Sequence, residues 1–120
     1  STQSRSSAAS DVYKRQMVTL GIVEEVLPLE FALLQNYPNP FNPSTQIMYT
    51  LPKTSFVKIV IYDMLGSKVR TLLSGSQDAG YKNVLWNATN DQGFPVSAGM
   101  YFYQIRTNEF VKTKKMLLLK

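Results

Sequence analysis

From Gln46 to the end of the chain, apolar and polar side chains alternate with a period of two, and clusters of Gly, Pro, Asn and Asp break the alternation. That period predicts strands with one face toward a core. Ile47, Tyr49 and Leu51 open the pattern, which stops at Pro52. In Phe56–Tyr62, Val57, Ile59 and Ile61 share one face, while the other holds Phe56, Lys58, Val60 and Tyr62. Only the second face carries a charge, so the first is the core face. Asp63-Met64-Leu65-Gly66 reads as a tight turn with Gly66 at positive φ, and Lys68–Leu73 as the returning strand. Ser74–Gly80 reads as a loop by composition, Lys82–Trp86 as a strand, Asn87–Gly93 as a polar turn, and Pro95–Gly99 as a connection. Met100–Thr107 puts Tyr101, Tyr103 and Ile105 on one face. Asn108-Glu109 is placed as a two-residue hairpin link to a last strand, Phe110–Leu119. About seven short strands with no helical period predict a two-layer antiparallel β-sandwich. Val57, Ile59, Ile61, Trp86, Tyr101, Tyr103 and Ile105 are expected inside.

The segment Gln35-Asn36-Tyr37-Pro38-Asn39-Pro40-Phe41-Asn42-Pro43-Ser44-Thr45 is different. Three closely spaced prolines remove three amide donors and restrict φ, and the residues before them are pushed toward extended geometry. This predicts a preformed wrap anchored by Tyr37 and Phe41: a stiff lid on one end of the sandwich, or alternatively a Pro-rich ligand for an aromatic groove. Upstream, residues 17–32 read as a linker, with Val18, Leu20 and Ile22 alternating as in a short strand. Residues 1–16 have no hydrophobic period and read as a disordered tail resembling a translated cloning junction.

Composition removes most chemistry. The 120 residues contain no Cys and no His, which excludes Ser-His-Asp and Cys-His catalysis and zinc sites of His/Cys type. The acids fall in the tail, the linker or turns, so no convergent carboxylate pair is expected, and no enzyme activity. No catalytic, metal or cofactor residues are assigned. Asn90, Asp91 and Gln92 could offer oxygens to calcium, but Asx-turn hydrogen bonding is the plainer use of such a turn. Trp86 is read as a core plug, with ligand stacking as the alternative. No run of 18 apolar residues is present, so no transmembrane helix is expected. The net charge of +5 divides unevenly: +2 over residues 1–16, −1 over 17–109 and +4 over 110–120. With a nearly neutral body, nucleic acid is not an expected partner. The C-terminal lysines are either a solvated edge-strand device or a basic handle for a partner or an anionic envelope surface.

The motifs converge on a family. Leu34 to Thr45, followed by Ile47-x-Tyr49-x-Leu51-Pro52, resembles the opening of the type IX secretion system C-terminal sorting domain, type A. The similarity continues through Val57-x-Ile59-x-Ile61-Tyr62-Asp63-x-x-Gly66, then Trp86-Asn87 and Asn90-x-x-Gly93. It ends with Ala98-Gly99-Met100-Tyr101-Phe102-Tyr103 and Lys114-Lys115-Met116-Leu117-Leu118-Leu119-Lys120. Asn87-Ala88 stands where the family usually has an acid-glycine pair, and Met100 where it has valine. The resemblance covers residues 33–120 and implies an all-β, immunoglobulin-like antiparallel β-sandwich of about seven strands, similar to the Ig-like domain of the flagellar hook-capping protein. Asn36, Tyr37, Pro38, Asn39, Pro40, Phe41, Asn42, Pro43, Trp86, Gly99, Tyr101 and Tyr103 are then its structural motif residues.

The function implied is a C-terminal sorting signal of a larger cargo protein, exported through the periplasm to the cell surface or medium. Its partners would be the outer-membrane type IX translocon and a sortase-like signal protease, and it would follow an upstream cargo domain. The alternative is a passive Ig-like structural, adhesion or carbohydrate-binding module. Met116 to Leu119 is apolar on both parities, unlike a strand with one solvated face. Either this strand is covered on both sides in the full protein, or part of the run is left for a partner to read. On the second reading Lys112, Lys114, Lys115, Met116, Leu117, Leu118, Leu119 and Lys120 are expected to be read by the translocon, through the strand edge, while residues 33–111 supply a folded frame.

Overall fold

The computed structural model describes residues 26–120, together with the backbone of two short strands, β1 (Val18–Thr19) and β2 (Ile22–Val23), which pair antiparallel. The expected tail, 1–16, lies outside the described residues. Seven further strands follow: β3 (Ala32–Leu33), β4 (Thr45–Leu51), β5 (Ser55–Tyr62), β6 (Lys68–Gln77), β7 (Gly80–Trp86), β8 (Gly99–Arg106) and β9 (Val111–Leu118). They form a three-stranded sheet in the order β3-β4-β7 and a four-stranded sheet in the order β6-β5-β8-β9, with every paired neighbour antiparallel.

The core lies between the sheets and is built by parity. Ile47, Tyr49 and Leu51 of β4 and Trp86 of β7 face Val57, Ile59 and Ile61 of β5, Tyr101, Tyr103 and Ile105 of β8, and Met116 and Leu118 of β9. All seven side chains expected inside are buried. Val60, on the opposite parity of β5, is buried as well.

Two expectations need correction. Ser74–Gly80 is not a loop: β6 runs on to Gln77, with Ser74, Gly75, Ser76 and Gln77 opposite Lys58, Val57, Phe56 and Ser55. Its Ser- and Gly-rich composition suppresses any propensity signal, and pairing to a strong strand overrides propensity. The sheet also begins within the stretch read as linker, since Ala32 pairs with Thr50 and the Phe31 ring stacks on Phe110 at 5.6 Å.

The two Asx-x-x-Gly turns are built alike. Asp63 Oδ1 accepts from the amides of Leu65 and Ser67, and Asn90 Oδ1 accepts from those of Gln92 and Phe94. Gly66 and Gly93 close them at φ +85° and +88°, a region that favours glycine. The second turn is also bolted to β6: the Asp91 amide donates to Val69 O, and Asp91 Oδ1 accepts from the Thr71 amide. Arg70 reaches over to Thr89 and to the Asn90 carbonyl. Two of the oxygens considered for calcium, Asn90 Oδ1 and Asp91 Oδ1, are thus engaged in turn and docking bonds.

Candidate recognition strand and its clasp

An antiparallel pair leaves every second residue of its outer strand with its amide and carbonyl pointing away from the sheet. On β9 these are the odd residues, and the asparagine-proline segment covers part of that edge. Phe41 donates its amide to Leu117 O at 3.0 Å, and Leu119 donates to Phe41 O at 2.9 Å. Asn39 Oδ1 accepts from the Leu117 amide at 3.0 Å, and Gln35 Nε2 donates to Lys115 O at 2.9 Å. The segment is therefore a clasp on the last strand.

The clasp is held by buried groups. Asn36 is buried and donates through Nδ2 to Thr45 Oγ1 at 2.9 Å and to Pro38 O at 3.1 Å, while Thr45 donates to Pro38 O at 2.8 Å. The Phe41 ring is buried against Trp86 with centroids 5.8 Å apart, and Trp86 meets Tyr101 edge-on at 5.3 Å. The Trp86 indole donates to Thr89 O, which places it as the core plug. Phe41 is the expected anchor, but Tyr37 is not: its side chain is 73% exposed, and only its backbone is used, paired with Gln46. The ring leaves on the outward parity. Pro38, Asn39, Pro40, Asn42 and Pro43 lie on the exposed side of the wrap. Gly99, at φ +147°, starts β8 opposite Leu118.

Tyr103 ties the clasp to the core. Its hydroxyl donates to Leu34 O at 2.7 Å and accepts from the Asn36 amide at 2.8 Å. Burial pushes the phenol up to about 12, against a smaller opposing effect of the Asn36 amide. Because the folded value lies above the unfolded one, this tyrosine stabilises the fold fully below pH 10. The contribution is lost as pH rises from about 10 to 12, roughly 2 kcal/mol in all. Tyr49 and Tyr101 are shifted in the same direction, Tyr49 by burial and Tyr101 by burial and the Asp63 charge. Urea melts at pH 8 and pH 11.5 should therefore show a large loss in the wild type. Tyr103→Phe should lose about 1–3 kcal/mol at pH 8, where it leaves the Asn36 amide and Leu34 carbonyl unpaired, and fall less on going to high pH. An equal alkaline loss in both would exclude Tyr103 as its source.

Tyr101, near the start of β8, donates its hydroxyl to Ser97 O at 2.6 Å, the arrangement of a tyrosine corner in an immunoglobulin-like sandwich. A family model for the FlgD Ig-like domain matches residues 42–109, more than half of the chain. The chain belongs to the FlgD Ig-like domain family. This bears out the fold expected from the motifs. Among solved structures, the Ig-like domain is similar to dimeric latent PorU from Porphyromonas gingivalis, at 21% identity and a TM-score of 0.62, over 82% of this chain and 10% of that chain. PorZ of the same bacterium, described as an essential surface component of its type-IX secretion system, is similar at 20% identity and a TM-score of 0.47, over 75% of this chain and 11% of that one. The chain thus spans about a tenth of the length of either structure. No curated protein matches it.

The eight residues expected to be read on β9 do not share one surface in the Ig-like domain. Met116 and Leu118 are core side chains, 1% exposed each, so the four-residue apolar run is half interior. Lys115 and Leu117 point outward, opposite Phe102 and Met100. Lys112 and Lys114 take the inward parity, opposite Ile105 and Tyr103, at the rim where the core ends. Leu119 and Lys120 lie exposed beyond the strand. The edge expected to accept a partner strand is already occupied at Lys115 O, Leu117 and Leu119. Toward the start of β9, the outward backbone of Val111 and Thr113 has no partner among the described residues. Thr45 and Gln35 belong to the clasp although neither was assigned a role. Their short polar side chains carry no pattern that marks a fold-spanning bond.

Proposed function

We propose that the Ig-like domain is a C-terminal sorting signal, directing a larger upstream cargo through the periplasm and across the outer membrane by the type IX system. The translocon and a sortase-like signal protease act on it, and it performs no chemistry of its own. The observation that carries this reading is the clasp. Four hydrogen bonds, two of them from side chains, hold the last strand in place, within the segment that most resembles sorting domains. The strand is thereby displayed with Lys115 and Leu117 outward and the edge at 111–113 open. A partner strand could pair there, with the lysines steering an acidic partner.

The test is a periplasm-targeted reporter fused to residues 17–120 in a host with type IX secretion. Thr113→Pro removes an outward amide that has no partner among the described residues, and proline is tolerated on such an edge. Combined with Lys115→Glu, it should leave the melt within about 1 kcal/mol of wild type. Delivery should nevertheless fail, with the reporter retained in the periplasm. Delivery equal to wild type would remove the β9 edge as the signal, and no delivery of the wild-type fusion would favour a passive Ig-like module.

A further inference from the structure

The cations of this domain are scattered in sequence, but the register gathers them. On the outer face of the four-stranded sheet, Lys58 lies opposite Arg106, and the row Lys68–Tyr62–Phe102–Lys115 crosses all four strands. All four cations are exposed, and β5, β6, β8 and β9 contain no Asp or Glu. The outer face of the other sheet, formed by Gln46, Met48 and Thr50 of β4 and Tyr81, Asn83 and Leu85 of β7, carries no charge.

At one end of the cationic face the β5–β6 turn projects two large apolar side chains. Met64 is 70% exposed and Leu65 91%, at positions where a turn ordinarily carries polar residues. Half-buried Met100 and Leu117 sit opposite each other just behind the turn, and the Tyr62–Phe102 pair between two lysines comes next. Of the acids bordering this face, Asp63 accepts from the amides of its own turn and Asp91 from the Thr71 amide, while Glu109, beyond the Arg106 end, pairs with Lys53.

We propose that the outer face of the β6-β5-β8-β9 sheet, with the Met64-Leu65 turn at its end, docks peripherally on an anionic lipid bilayer. A protein hot spot is ordinarily a packed pocket that receives an anchor. Here the anchors protrude, the aromatics sit one level behind them, and lysines without an acidic partner among the described residues are spread over a sheet face. That order matches the depth profile of a bilayer surface: apolar tip inward, aromatics at the interface, cations over the headgroups. The inference stands apart from the sorting reading. Vesicle binding without delivery would sink only sorting, and delivery without vesicle binding would sink only this.

The test is co-sedimentation of the full chain with vesicles of phosphatidylcholine containing one-third phosphatidylglycerol, and with phosphatidylcholine alone. Association should require the anionic lipid and weaken with salt. Each cation near such a surface is worth a factor of about five at low salt. Lys58→Gln, Arg106→Gln and Lys115→Gln together should therefore weaken binding about hundredfold. Met64→Ser with Leu65→Ser should remove the part that survives high salt. Gln46→Glu, Thr50→Glu and Asn83→Glu together change the net charge equally on the other face and should cost far less. Arg5→Gln, Lys14→Gln and Arg15→Gln together remove the cations of the first sixteen residues and should leave most of the binding. Thermal melts confirm that each variant is folded. Equal binding to neutral vesicles, an equal loss in the opposite-face variant, or dependence on the first sixteen residues alone would overturn the proposal. No vesicle association at all would also overturn it, and would leave the face to an acidic protein.

Discussion

A chain ending at Lys115 should fail to fold. Removing residues 116–120 deletes two side chains that are 1% exposed, Met116 and Leu118, one opposite Tyr101 and the other opposite Gly99. Loss of one buried Met or Leu side chain costs about 2–5 kcal/mol, and here two neighbours go together with their backbone. The deletion also removes Leu117 and Leu119, which bond to Asn39 and Phe41, so the clasp loses three of its four hydrogen bonds. A domain of this size has only about 5–15 kcal/mol of stability in total. Near-ultraviolet circular dichroism from Trp86 and the tyrosines should collapse, and urea should produce no cooperative transition. A truncated chain melting within about 2 kcal/mol of wild type would contradict this packing. The consequence for function is direct: a secretion defect in this truncation would report unfolding as much as loss of a signal, so outward-facing substitutions are the sharper probe.

Phe41→Ala should be the most damaging single change in the asparagine-proline segment, costing about 3–5 kcal/mol. The ring is 1% exposed and is one of three aromatic groups in sequence, packed on Trp86, which in turn meets Tyr101. Its backbone also supplies the amide and carbonyl that bracket Leu118 on the edge of β9. The cavity should therefore be felt at the strand edge. Hydrogen exchange at the Leu117 and Leu119 amides should accelerate more than at the even-numbered amides of β9, which face β8. Tyr37→Ala is the matched comparison: its ring is mostly in solvent, so it should stay within about 1 kcal/mol of wild type. Similar small effects for both would mean that the segment is not anchored through Phe41.

Much of this fold is legible in the sequence. Alternation in Phe56–Tyr62 and Met100–Thr107 identified strands and their inward faces, because successive side chains of a pleated strand point to opposite faces and in a two-layer sandwich one of those faces meets the core. Asp63 and Gly66 announced their turn, because an Asx side chain and a residue tolerant of positive φ are what that geometry needs. The absence of His and Cys excluded whole classes of chemistry outright. The boundary failed at β6, where Ser and Gly carry no local strand signal, and Tyr37 was misjudged because an isolated wrap has no periodicity to say which way its ring turns.

The roles of particular residues on the last strand depended on contacts that sequence distance hides. Local pattern marks Met116 to Leu119 as apolar throughout, and it cannot say which two fill the core, since that depends on the register of β9 against β8. Nor can it show that residues 35–41 cap that edge, some eighty positions away, through an asparagine side chain and two backbone groups of Phe41. Charge behaves in the same way. The sequence by itself determined where cations occur along the chain and found the body nearly neutral. Only the tertiary structure placed Lys58, Lys68, Arg106 and Lys115 on one face and every acid off its strands. The physical reason is common to all of these. Parity and turn chemistry act between near neighbours, whereas register, edge coverage and surface potential arise from pairing strands that the chain visits far apart.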